Sequence, residues 1–247
     1  MTVRLRFLGS GDAFGSGGRM QTCILADDGE RRCLIDCGMT SLSALKGQGL
    51  DPNSVDAILL THLHGDHFGG VPLFVLDALV ASNRKRPLTV AGPEGTEERV
   101  RRAGEALFAG MWERQALFDL TFLEMTPETR HEVMGMGVTP YPVVHSPDVN
   151  PTALRVEIGG KVVAYTGDTG WTDRLPEVAR DADLLIAECY WFVPRTPNHL
   201  DYRTLSERLP HLGARRTILT HLGPEMLAHL QRVTLDYATD GRVVEIG

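Results

Sequence analysis

Apolar and polar positions alternate over residues 3–8, a strand pattern that runs into Gly9-Ser10-Gly11-Asp12-Ala13-Phe14-Gly15-Ser16-Gly17-Gly18. These glycines complete no G-x-G-x-x-G and precede no helical pattern. A mobile inter-strand loop whose backbone can approach a ligand is therefore expected in place of a nucleotide cradle. Residues 22–26 and 33–37 are apolar runs around Asp27-Asp28-Gly29-Glu30, a hairpin signature. A helix is expected over 41–49 and a buried strand over 55–60, with a further strand at 87–90. Val100, Ala103, Leu107 and Met111 recur at three- and four-residue steps, which predicts one long helix over 94–117. Strand patterns return at 120–123, 138–144, 153–158, 162–165, 184–187, 217–219 and 243–246. Helices are expected over 202–212 and over 225–235 behind Pro224. Strands outnumber helices, the two alternate in two halves, and no linker or short repeat interrupts them. The expectation is one α/β domain spanning residues 1–247.

At 247 residues the chain can bury a large core without covalent staples, and 43% hydrophobic with 23% charged residues excludes a disordered or fibrous class. No apolar run reaches the roughly 18 residues of a transmembrane helix, and the first seven residues lack a signal-peptide core, so a cytoplasmic protein away from membranes is expected. The net charge of −7 argues against broad nucleic-acid binding. Arg84-Lys85-Arg86 is too short to restore it and is expected on a solvated loop. Arginine outnumbers lysine 22 to 3, which genome composition explains as easily as phosphate chemistry. Cys23, Cys33, Cys37 and Cys189 form no C-x-x-C pair and are expected as buried free thiols in a reducing compartment.

The informative segment is Thr61-His62-Leu63-His64-Gly65-Asp66-His67, directly behind the apolar run 55–60. Strand residues i and i+2 point the same way, so His62 and His64 can converge on one ion. Gly65 would let the chain turn sharply and aim Asp66 and His67 at a second. Imidazole and carboxylate suit zinc, manganese or iron. The alternative, a surface loop rich in histidine, is disfavoured because four such groups behind a buried strand are costly to desolvate without a cation.

Thr-His-x-His-x-Asp-His resembles the signature of the metallo-β-lactamase superfamily, and the resemblance runs from Phe7 to Ile246. It implies an αββα four-layer sandwich with a two-metal site at one edge, the remaining ligands arriving singly at strand ends. On that pattern His145 completes a three-histidine site with His62 and His64. Asp168, in Tyr165-Thr166-Gly167-Asp168-Thr169-Gly170, bridges the two metals. His221 joins Asp66 and His67 on the second. Taken alone, His145 is an ordinary loop residue and Asp168 an ordinary turn residue. Histidine at 64, where the di-iron flavoprotein branch has glutamate, points away from that branch. Aspartate at 168, where true β-lactamases have cysteine, points towards phosphodiesterases. Two divalent metals roughly 3.5–4 Å apart would bridge a water and lower its pKa, giving a hydroxide that attacks phosphorus. Asp66 would orient that nucleophile as well as ligate. Asp36 is a candidate acceptor for a ligand histidine, or a strand-end cap.

Pro197-Asn198-His199-Leu200-Asp201 resembles the histidine motif of ribonuclease Z and of the cyclic phosphodiesterases of phosphonate breakdown, where the histidine contacts phosphate and can protonate the leaving oxygen. Glu188 is its partner on the ribonuclease Z pattern. The other readings are a residue near a helix cap for His199 and a water-facing strand end for Glu188. His131, His211 and His229 are expected on the surface or on helix faces. The chain lacks the extra cysteine cluster of the cyclic phosphodiesterases. It also lacks ribonuclease Z's tRNA-gripping arm, since only 22 residues separate His145 from Asp168. The resemblance therefore favours a binuclear hydrolase, with zinc first and manganese second, acting on a small or cyclic phosphodiester. The runners-up are ribonuclease Z-like tRNA processing and hydrolysis of a thioester, lactone or lactam. A catalytically silent binding module fits less well, because the ligand set is complete. A homodimer is an expectation of the resemblance alone.

Overall fold

The computed structural model describes residues 2–247. Its first half supplies β1 (Val3–Gly9), β2 (Cys23–Asp27), β3 (Arg32–Ile35), β4 (Ala57–Leu59), β5 (Leu88–Gly92) and β6 (Leu120–Glu124), adjacent in that order. A second sheet follows from β7 (His131–Val133), β8 (Met136–Pro142), β9 (Thr152–Ile158), β10 (Lys161–Tyr165), β11 (Leu184–Glu188), β12 (Thr217–Thr220) and β13 (Asp236–Tyr237). The last strand, β14 (Val243–Ile246), returns to the first sheet and pairs antiparallel with β1, Val3 against Ile246. The helices are α1 (Ser41–Gly47), α2 (Gly65–Phe68), α3 (Val71–Val80), α4 (Thr96–Leu107), α5 (Leu175–Ala179), α6 (Tyr202–Arg208) and α7 (Pro224–Ala228).

Strand alternation builds the layers. Val3, Leu5, Phe7, Ile24, Ile35 and Leu59 face inward and meet Val138, Leu154, Val156, Val163, Ile186 and Ile218 of the other sheet in one central core. The opposite strand faces are apolar as well. Leu25, Leu34, Ile58 and Val90 pack under α1, α3 and α4, while Ala164, Leu185, Ala187 and Leu219 pack under α5, α6 and α7. The result is the expected αββα sandwich, with strands buried on both faces.

The topology also decides where loops collect. Strands β3 to β6 are parallel, as are β10 to β13. Two antiparallel steps, β8 to β9 and β9 to β10, leave β8 pointing with β10. The carboxyl ends of β3, β4, β8, β10, β11 and β12 therefore open on one edge of the sandwich, the place where open α/β sheets bind ligands.

Several expectations are corrected. The helix over 94–117 stops at Leu107: Phe108 leaves helical φ/ψ and Gly110 is left-handed at φ 73°. The apolar period continues to Met111 because a 3₁₀ turn, Met111–Glu113, folds back onto the bare face of Gly104. The helix behind Pro224 ends at Ala228, where His229 Nδ1 donates to Glu225 O (2.8 Å) and its ring stacks on Phe192 at 4.4 Å. Helix α3, Val-Pro-Leu-Phe-Val-Leu-Asp-Ala-Leu-Val, is apolar nearly all round and so offered no period to detect. His131, expected on the surface or a helix face, opens the edge strand β7 and is partly exposed there. Arg84, expected in solvent, is fully buried and donates to the carbonyls of Arg86, Pro52, Val55 and Pro87. The glycine-rich loop is pinned: Asp12 accepts from Phe14 N, Ser16 N and Ser16 Oγ, and Asp240 accepts from Ser10 N and Oγ. Gly65 makes no special turn; it starts α2 without a positive φ, and a Cβ there would meet only Met39 Cε at 3.1 Å.

Asp236, at the sheet edge, accepts from Arg216 (2.8 Å) and Arg242 (2.6 Å). Those hydrogen bonds outweigh partial burial and hold its carboxyl down at about 2. A depressed carboxyl stabilises the fold above its unfolded value and loses that contribution as pH falls through its folded value. Asp236→Asn should therefore lower Tm at pH 7 by an amount worth at most ~1 kcal/mol for so exposed a pair. The difference from wild type should vanish between about pH 4 and pH 2 in thermal melts.

Candidate metal centre

All seven candidate ligands meet at the edge where those strand ends open. His62 and His64 follow β4, and Asp66 and His67 sit in the single turn of α2. His145 follows β8, Asp168 follows β10 and His221 follows β12. They form two adjoining clusters, His62–His64–His145 and Asp66–His67–Asp168–His221, each with its donor atoms within 4.8 Å of one another. In the first, His64 Nδ1 lies 3.2 Å from His62 Nε2 and 3.0 Å from His145 Nε2. In the second, His67 Nε2 is 3.2 Å from Asp66 Oδ2 and 3.3 Å from Asp168 Oδ1, and His221 Nε2 is 3.3 and 3.5 Å from the same oxygens. Asp168 spans the clusters: Oδ1 faces His67 and His221, and Oδ2 lies 4.0 Å from His145 Nε2.

Hydrogen bonds on the outer nitrogens set the tautomers. Asp36, fully buried, accepts from Thr61 N (2.9 Å), Thr61 Oγ1 (2.9 Å) and His67 Nδ1 (2.6 Å). Having given its proton to Asp36, the Thr61 hydroxyl accepts from His62 Nδ1 at 3.0 Å. His145 Nδ1 donates to Asn198 O at 2.9 Å. Each ring therefore presents a bare Nε2 lone pair to the interior. In the first cluster His64 Nδ1 carries one proton at most, so at least one of the lone pairs on His62 Nε2 and His145 Nε2 is left without a full donor. In the second, His67 Nε2 and Asp168 Oδ1 are buried, adjacent and without any hydrogen-bond partner. Buried acceptors facing one another are costly, and a cation between them removes the cost. Donor separations of 3.0–3.5 Å also match the edges of a tetrahedron whose bonds are roughly 2.0–2.1 Å long. The residues fit divalent metal in both clusters.

The electrostatics agree. Burial alone would lower His67 and His221, but Asp168 and Asp66 raise them, His221 to about 9. Burial would raise Asp66 and Asp168, but the imidazoles hold both well below the carboxylate range. Burial and the neighbouring His67 push His62 well down. The second cluster calls for positive charge and the first for neutral imidazoles, which together suit cations better than protons.

Two residues here carry left-handed backbone without being glycine, Asp36 (φ 58°) and His221 (φ 57°). Each costs of order 1–3 kcal/mol, a strain that concentrates at functional sites. Glu188 ends β11 fully buried, not facing water. Its Oε1 accepts from Thr169 N (2.7 Å) and His199 Nδ1 (3.0 Å), and its Oε2 from Tyr190 N (3.2 Å). Burial raises its carboxyl above the usual carboxylate range, and the His199 imidazole opposes that rise. Burial would lower His199, but the carboxylate outweighs it and raises the imidazole. The His199 loop is located by contact with the Asp168 turn: a Cβ on Gly170 would fall 1.8 Å from Pro197 O. A cavity of about 470 Å³ lies over the clusters, bounded by Phe14, Tyr190, Trp191, Thr196 and His199. A larger groove of about 650 Å³ lies beyond His145 and holds none of the other six ligands.

The sequence missed Thr61, Thr169 and Tyr190. Thr61 stands in the histidine motif itself, a signal that was present. Thr169 and Tyr190 act through main-chain donors and have none.

A family model described as "Anti-Pycsar protein Apyc1" matches residues 3–242. A protein named ribonuclease Z from Methanosarcina acetivorans is 23% identical over 295 aligned positions, covering 95% of this chain and 92% of its own. Among solved structures, the metallo-β-lactamase fold protein YhfI from Bacillus subtilis superposes with TM-score 0.80 at 22% identity, covering 99% of each chain. A diphosphatase from the PhnP family gives 0.77 at 21% identity, covering 98% of this chain and 97% of its own.

Asp36 holds one ring in each cluster, directly for His67 and through Thr61 for His62. Asp36→Asn should weaken zinc binding at both clusters by ~10–100-fold. Titration of chelator-treated protein with zinc, followed by calorimetry, checks this.

Proposed function

The chain belongs to the Anti-Pycsar protein Apyc1 family, in the ribonuclease Z-like branch of the metal-dependent hydrolases built on the metallo-β-lactamase fold, and from that premise we propose that it is a binuclear phosphodiesterase for a small or cyclic phosphodiester. One observation carries the reading: a proton donor, His199 backed by Glu188, faces the same cavity as both clusters. Such a donor serves a reaction whose leaving oxygen must be protonated. Both sheets contribute to this one site, which supports treating residues 1–247 as a single catalytic unit. Four buried, unbridged cysteines favour the cytoplasm. Among the described residues no helix is long and apolar enough to cross a membrane.

In the proposed arrangement His62, His64 and His145 hold one cation, Asp66, His67 and His221 hold the other, and Asp168 is shared. The nitrogen and oxygen donor set favours zinc, with manganese second. When bound, two such ions activate water and neutralise charge on the non-bridging phosphate oxygens. The protein's own groups do the rest. Asp66 orients the attacking water. His199 keeps Nδ1 on Glu188, so that Nε2 delivers its proton to the departing ester oxygen. The cavity suits a small ligand. Residues between His145 and Asp168 form the β9–β10 hairpin, turning at Gly159-Gly160, in place of a nucleic-acid arm. A tRNA substrate is the second reading, favoured by the ribonuclease Z named above.

Bis-p-nitrophenyl phosphate should be hydrolysed, with activity lost to chelator and restored by zinc or manganese. Cleavage of nitrocefin or a thioester with no action on the diester would reject the reading, and accurate cleavage of pre-tRNA would replace it with the second. His199→Ala should lower turnover of a diester with an alkoxide leaving group by ~10²–10⁴-fold. It should affect p-nitrophenolate departure far less and leave bound metal unchanged. Loss of metal would make His199 a ligand.

A further inference from the structure

The three histidines of the first cluster lie on two short segments, the turn after β4 and the loop after β8, and one side chain outside the centre reaches both. Arg99, half-buried on α4, donates from Nη1 to Leu63 O at 3.1 Å and from Nη2 to Asp148 O at 3.3 Å. Leu63 stands between His62 and His64, and Asp148 is three residues beyond His145. Among the described residues the guanidinium pairs with no carboxylate, so both donors serve carbonyls. The helix beneath it is firmly seated: Val100 is fully buried, and Thr96 Oγ1 donates to Pro93 O at 2.6 Å. Between the two segments the main chain adds a long bond, Leu63 N to Val149 O at 3.3 Å. Further back, Thr152 N and Oγ1 donate to Thr61 O. Arg99 thus ties the outer ends of both segments to a rigid helix. A planar fork does this where an ammonium, a single point of charge, would not.

We infer that Arg99 is a positioning residue that fixes the spacing of the His62–His64 turn and the His145 loop, and so sets the cation affinity of the three-histidine cluster alone. This rests on the two-metal reading. Of the other cluster, Asp168 and His221 follow β10 and β12, which Arg99 does not touch, while Asp66 and His67, just beyond the turn, are held independently by α2, by Cys37 N donating to His67 O at 2.6 Å and by His67 Nδ1 donating to Asp36.

The test is calorimetric titration of chelator-treated protein with zinc alone, for wild type, Arg99→Ala, Arg99→Lys, and Arg102→Ala as an exposed control on the same helix. Wild type and Arg102→Ala should take up two equivalents with the same affinities. Arg99→Ala should keep one equivalent at wild-type affinity and bind the other ~10–100-fold more weakly, the range for residues supporting a metal site. Arg99→Lys, which keeps charge and helix packing, should lose most of the same affinity. Added to His64→Ala, which removes the first cluster directly, Arg99→Ala should cause no further loss. Two equivalents at wild-type affinity in Arg99→Ala, or equal weakening of both in Arg99→Lys, would overturn the inference alone. Fewer than two equivalents in wild type would overturn the two-metal reading and this inference with it.

Discussion

The candidate centre depends on one fully buried carboxylate that belongs to neither cluster and does not line the cavity. Asp36 takes three donors from two residues, and through them it sets which nitrogen of His67 and of His62 carries hydrogen. Without that assignment the two rings could turn a proton inward and the clusters would cease to be sets of lone pairs. A bare carboxylate in a dry core is prohibitive, so its three hydrogen bonds are a condition of folding as well as of function. The left-handed backbone at Asp36 is tolerable because Asp36 N donates to Leu59 O and the strand beside it is fixed. Packing of β3 against β4 thereby becomes ring orientation a few ångströms away.

The layers and the candidate ligands were legible because both follow from short-range pattern. Apolar runs that end in His or Asp mark strand ends, and parallel strands bring such ends to one edge. His145, Asp168 and His221 look unremarkable alone and acquire meaning only from their order. What escaped the sequence has physical causes. Helix α3 carries no amphipathic period because it is buried on most sides. Met111 mimicked helical spacing from a turn that folds back on Gly104. The partner of His145 is a main-chain carbonyl, Asn198 O, which any residue type could supply. Residues that act through carbonyls leave no signature in composition or spacing.

The same point accounts for part of the excess of arginine over lysine. Arg84 gathers four carbonyls in the interior, Arg155 takes those of Val178 and Arg180, Arg31 that of Gly135, and Arg99 those of Leu63 and Asp148. These guanidinium groups close loops that the sheets leave open, a use for which a planar fork of five donors is suited and lysine is not. They add charge while spending these donors on main-chain carbonyls, which is why counting basic residues said little about what the protein binds.

Pairing of β1 with β14 brings residues 3 and 246 side by side, and Asp240 holds the loop at Ser10. On the ribosome this gives an order of events. The flank of β1 that β14 will occupy stays open, with Val3, Leu5 and Phe7 beside it, until residues 243–246 have emerged from the exit tunnel. At ordinary elongation speeds of about 5–20 residues per second, that interval lasts roughly ten seconds or more. Over that time an unpaired edge is a template for misassembly. For that interval the first sheet stands one strand short on the flank of β1.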